Sequence, residues 1–106
     1  MTTWRLTFDC EAHGKPVQRV VVEVAEGVRC IIGRSRGATV WVDSAAIARE
    51  HCSMTVTGGH ATIEDHGSAG GTFLNRARIR GPTPLKPGDV FFPGQPKLTF
   101  VSIEPV

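Results

Sequence analysis

The chain has 106 residues, 41% hydrophobic and 21% charged, with a formal net charge of +2. A chain of that length is expected to form one domain, residues 1–106, with a single core and no space for separate catalytic and regulatory domains. The near-neutral charge gives no electrostatic case for nucleic acid as a partner, and the composition excludes a disordered chain.

The first ten residues contain Asp9 and no long apolar run, so they are expected to be neither a signal peptide nor a membrane span. Trp4, Leu6 and Phe8 alternate with Arg5, Thr7 and Asp9, the period of a half-buried strand. Val20, Val22 and Val24 line one face of a second run, and Val21 makes it apolar on both sides. Short runs follow at Cys30 to Ile32 and Val40 to Val42. Cys52, Met54 and Val56 then point inward, with Ser53 and Thr55 outward. Gly58-Gly59 stands where a two-residue hairpin turn needs positive φ, and Ala61 and Ile63 begin the return strand. Further strands are expected at Thr72–Leu74, Val90–Phe92 and Leu98–Ile103. Ala45 to Glu50 has length for one helical turn at most.

Many short strands spaced by Gly, Pro, Asp and Ser predict an all-β sandwich or barrel. With the Gly58-Gly59 turn at one end, the loops Asp43–Glu50 and His66–Gly71 belong at the other. Because Val40–Val42 is short, Arg34–Thr39 is expected to reach that same end. Three loops rich in Gly, Ser and Arg then converge on a rigid scaffold, an arrangement suited to recognition. Cys10, Cys30 and Cys52 are odd in number and lack CxxC spacing, so buried free thiols in a reducing cytoplasm are expected.

Four separated pieces of these loops resemble the forkhead-associated (FHA) domain, a phosphothreonine-binding module. They are Gly33-Arg34, then Ala48-Arg49-Glu50-His51-Cys52, then the run from Asp65 to Asn75, and finally Leu85-Lys86-Pro87-Gly88-Asp89. The family pattern is Gly-Arg, Ser-Arg-x-His, Ser-x-Asn-Gly-Thr-x-x-Asn and Leu-x-x-Gly-Asp. The resemblance covers residues 30–101 and implies an eleven-stranded antiparallel β-sandwich, FHA/SMAD-like, in agreement with the strands read from periodicity. It implies a protein interaction module and no enzyme, with a protein partner phosphorylated on threonine. With the charge and the N-terminal residues, this leads us to expect no cofactor, no metal, no nucleic acid and no membrane, and a monomer or one module of a larger protein, with the oligomeric state open because sandwich edges can pair.

On the same resemblance Arg34 holds the phosphate, a task suited to a planar guanidinium that pairs bidentately with phosphate oxygens. The implied phosphopeptide surface comprises Arg34, Ser35, Ala48, Arg49, Ser68, Ala69 and Gly70. The chain departs from the family at two of these positions. Ala48 replaces a Ser that donates its hydroxyl to the phosphate, and Gly70 replaces an Asn that hydrogen-bonds the peptide main chain. Loss of both bonds costs about 2–4 kcal/mol, or about 30- to 1,000-fold in affinity. Arg36 and Arg49 flank the site as compensating cations, and Ser35 and Ser68 offer hydroxyls. A degenerate module that binds its partner without phosphate is the alternative. His51 and Asn75 are expected to pin the loops through structural bonds.

Other chemistry finds little support. Cys52 with His51 and His60 or His66 lacks recognised metal spacing. Ser44 or Ser68 with His51 lacks a nucleophile elbow, so a hydrolase is disfavoured. Gly67–Gly71 lacks the Lys-Ser/Thr ending of a nucleotide-binding loop. Trp4 and Trp41 are expected in the core or on a sheet face.

Overall fold

The computed structural model describes residues 1–106 and contains eleven strands and no helix. They are β1 (Thr3–Glu11), β2 (Gln18–Ala25), β3 (Cys30–Gly33), β4 (Val40–Trp41), β5 (Cys52–Thr57), β6 (His60–Asp65), β7 (Thr72–Leu74), β8 (Ala77–Arg78), β9 (Thr83–Leu85), β10 (Val90–Pro93) and β11 (Lys97–Pro105). One sheet has the order β2-β1-β11-β10-β7-β8 and the other β4-β3-β5-β6-β9.

The alternation read from β1 is realised: Leu6, Phe8 and Cys10 face the core while Arg5 and Asp9 pair outside with Glu23 and Arg19. From β11, Leu98 and Phe100 join the same layer. Phe8 stacks on Phe100 with centroids 5.6 Å apart and meets Phe91 edge-on at 6.4 Å. The facing sheet contributes Cys30, Ile32, Val40, Cys52, Met54, Val56 and Ile63 to one core of 20 buried residues. All three cysteines are free and buried, and burial pushes the thiols of Cys30 and Cys52 up to about 12.

The Gly58-Gly59 turn has φ of 59° and 83°, as a tight hairpin with two left-handed residues requires. Asn75 and Arg76 take φ of 52° and 67° between β7 and β8, so they form a turn of the same kind. Asn75 is exposed there, and its contribution is the left-handed turn, where the sequence led us to expect a side-chain bond to loop backbone.

Pairing is antiparallel except between β3 and β4, which run parallel with Ile32 beside Val40 and Gly33 beside Trp41. This departs from the wholly antiparallel expectation and has a direct consequence. Parallel strands carry the chain out at the same end, so Arg34–Thr39 and the segment after Trp41 emerge together. Direction, more than the shortness of β4, brings these two loops to one end. Such a crossover ordinarily needs a dozen or more residues. A six-residue loop suffices here because β4 is a two-residue edge strand.

Candidate functional site

Backbone bonds hold the two arginine-bearing loops together. The Arg34 N–H donates to the Ala48 carbonyl and the Ser35 N–H to the Arg49 carbonyl, both at 3.1 Å. Gly33 makes the approach sterically feasible, because a Cβ there would lie 2.0 Å from the Arg49 carbonyl oxygen. The residue before Arg34 must therefore be glycine for space, whatever its φ.

Behind these loops lies a fully satisfied polar frame. His51 is buried, and its Nδ1 accepts the Ala48 N–H at 3.0 Å. That acceptor role places the ring proton on Nε2, which donates to the Gly71 carbonyl at 2.7 Å and lies 3.0 Å from the Ser68 hydroxyl. The Ser68 hydroxyl donates to Asp65 Oδ1 at 2.6 Å and accepts the Gly71 N–H at 2.9 Å. Asp65 also accepts from the Thr72 hydroxyl at 2.7 Å and the Ser68 N–H at 3.0 Å. Burial raises the Asp65 pKa, but these three bonds outweigh it and hold the carboxyl below the usual aspartate value. No buried side-chain polar atom lacks a partner.

Each residue of the implied binding surface has a definite place. Arg34 is exposed, its Nε donates to the Ile47 carbonyl at 3.0 Å, and the residue lines an open cleft of about 360 Å³. That cleft is also lined by Arg36, Trp41, Asp43, Ser44 and Ala45. Ser35 is half-buried, and its hydroxyl accepts the Gly37 N–H at a long 3.4 Å. Ala48 is half-buried, whereas Arg49, Ala69 and Gly70 are exposed. Ser68 is 8% exposed and turned inward, its hydroxyl engaged by Asp65, Gly71 and His51. It belongs to the frame and has no free hydroxyl to offer a ligand.

A model of the FHA domain matches residues 30–92, more than half of the chain. The chain belongs to the FHA domain family. The family consists of phosphothreonine-dependent protein-interaction modules. A search of the curated proteins finds no match. Among solved structures, the FHA domain of the CT664 protein from Chlamydia trachomatis superposes with a TM-score of 0.78 at 20% identity, covering 92% of this chain and 97% of that one. An FHA domain studied for phosphothreonine-dependent interactions gives 0.74 at 23% identity, with 94% and 99% covered. Mycobacterium tuberculosis EmbR, in complex with a low-affinity phosphopeptide, gives 0.70 at 23% identity, covering 90% of this chain and 24% of that one.

Two further loops reach the apical end of this FHA domain, and the sequence reading missed both. Lys15, in the β1–β2 loop, donates to the Asp43 carbonyl at 2.9 Å and pairs with its carboxylate. Gly94, after β10, lies so close to the 43–50 loop that a Cβ would sit 2.3 Å from the Ala46 carbonyl oxygen. The alternation of strand direction from β1 and β10 would have placed both loops here. Trp41, expected in the core or on a sheet face, is 41% exposed and stacked under Arg36 at the cleft.

Proposed function

We propose that this FHA domain binds a threonine-phosphorylated partner protein through its apical loops, with Arg34 as the phosphate ligand. The observation that carries the reading is the posture of Arg34. Its Nε is anchored on the Ile47 carbonyl, the residue lines an open cleft, and its guanidinium is paired with no carboxylate. A guanidinium held this way loses little freedom on accepting a bidentate anion. Ser35, Ala48, Arg49, Ala69 and Gly70 complete the contact surface, with Arg49 supplying charge, and Ser68 supports it from behind. The role is that of a binding module and not of an enzyme. The buried thiols suit a cytoplasmic setting, and the domain is taken to act as a monomer.

A second reading has its own support: Ala48 and Gly70 offer no side-chain donors where the family pattern has Ser and Asn. On that reading the same loops bind a protein partner independently of phosphate. Titration of the wild-type domain and Arg34→Ala with a degenerate phosphothreonine library, against unphosphorylated controls, separates the two. Phosphate-dependent binding that disappears in Arg34→Ala supports the first reading. Absence of any phosphopeptide binding, with a folded wild type, rejects it in favour of the second.

A further inference from the structure

The apical cleft carries a second guanidinium beside that of Arg34. Arg34 and Arg36 both line it. Arg36 lies outside the family pattern, and its guanidinium makes no ion pair. That guanidinium is nevertheless held in place: its carbon lies 4.5 Å from the centroid of the Trp41 ring, within cation–π range. The indole is fixed in turn, since its Nε1–H donates to the Arg34 carbonyl at 3.1 Å. Trp41 therefore ties the position of Arg36 to the backbone of Arg34. The remaining charged group of the cleft, Asp43, is neutralised by Lys15. Two guanidinium charges are left facing one polar, solvent-open space.

Taking the phosphothreonine reading as its basis, we propose that Arg36, held by Trp41, is a second anion-binding residue. The preferred ligand is then a phosphothreonine peptide with another anionic side chain near the phosphothreonine. Arg34 engages the phosphate, and Arg36 engages the second anion, either a carboxylate or another phosphate. Two like charges in one cleft repel, and each anionic group that pairs with one of them relieves that repulsion.

The test is calorimetric titration of phosphothreonine peptides in which glutamate, or a second phosphorylated residue, is scanned one position at a time through an otherwise neutral sequence. The wild type is expected to gain about fivefold in affinity at one or two positions, and the gain should shrink as salt is raised. In Arg36→Ala the acidic and neutral peptides should converge in affinity, and in Trp41→Ala the gain should fall. Arg29→Ala, which removes an exposed like charge at the opposite end of β3, should keep the gain. Phosphothreonine binding with no acidic preference at any position overturns the second anion site alone. A gain that survives in Arg36→Ala, or one that vanishes in Arg29→Ala, overturns it equally. Failure of every phosphopeptide to bind the wild type overturns the phosphothreonine reading and this inference with it.

Discussion

The double substitution Ala48→Ser with Gly70→Asn puts back the two donors that the family pattern has at these positions. Ala48 has its N–H on His51 Nδ1 and its carbonyl on the Arg34 N–H, so its backbone is pinned on both sides and the substitution changes only what its Cβ carries. At Gly70 a Cβ would lie 3.6 Å from the Gly94 Cα, an ordinary van der Waals contact, and the backbone there is not left-handed. A hydroxyl donated to phosphate contributes about 1.5–3 kcal/mol and an amide donated to a peptide carbonyl about 0.5–1.5 kcal/mol. Together they should tighten phosphothreonine-peptide binding by about 30- to 1,000-fold, with the larger share from Ala48→Ser. Calorimetric titration of both single variants and the double variant measures this directly. If the double variant unfolds like the wild type yet shows no gain, the missing donors are not what limits affinity. The spacing of Arg34 from the other loops would then be the cause.

Three other perturbations address the frame, and a fourth the core. His51→Ala removes a buried ring and leaves the Ala48 N–H and Gly71 carbonyl without their partner; chemical denaturation should show a loss of about 3 kcal/mol. An unchanged unfolding midpoint with binding alone abolished would refute the structural role. Gly33→Ala drives a methyl into the Arg49 carbonyl, so the loops must separate; a loss of stability of about 2 kcal/mol or more and weakened peptide binding are expected from the same assays. Asp65 has a folded pKa below its unfolded value, so its contribution is complete above about pH 4, and is lost as pH falls through the unfolded and then the folded pKa. Acid titration of stability should show this loss in the wild type, and Asp65→Asn should be less stable at neutral pH with a flatter acid limb. Finally, Cys10, Cys30 and Cys52 should resist an aromatic disulfide reagent at pH 8 until denaturant is added, because all are buried and burial raises each thiol pKa.

The long elements were legible because their signals are periodic. Alternation at Trp4–Asp9 and Cys52–Val56, with Gly58-Gly59 between two matched runs, fixes register and inward faces, since a slip of one residue would bury the polar set. The two-residue β8 carries no such period: Ala77 and Arg78 are both exposed, and the turn at Asn75-Arg76 defines it. The parallel pairing of β3 and β4 was hidden for a related reason, as two residues on an edge carry no directional signal. Within the site, Gly33, Arg34 and His51 could be read from the loop motifs. The burial of Ser68 could not, because a serine between two glycines and an alanine has the composition of an exposed loop tip. Its inward turn is set by Asp65 three residues earlier, which captures both its N–H and its hydroxyl.

The geometry also explains how the site can have lost two donors while the fold stays intact. Gly33, His51, Asp65, Ser68, Gly71 and Thr72 set the spacing of the loops through buried bonds, and each is tied to at least one of the others or to the Arg34–Arg49 backbone. Ala48 and Gly70 contribute their backbones to that spacing and nothing from their side chains. A change there alters what a ligand meets without exposing a buried polar atom, so it costs affinity and almost no stability. Arg34 bridges the two layers: its N–H and Nε serve the loops, and in the proposed function its terminal nitrogens serve the ligand. Arg34→Lys should accordingly lose the Nε bond to Ile47 as well as bidentate phosphate binding. Arg36, which bonds to nothing in the frame, is free to specialise in selectivity. Stability is thus carried by the interior of the loop cluster, and the proposed recognition surface lies at its tips, so on that proposal the two can change independently except at Arg34.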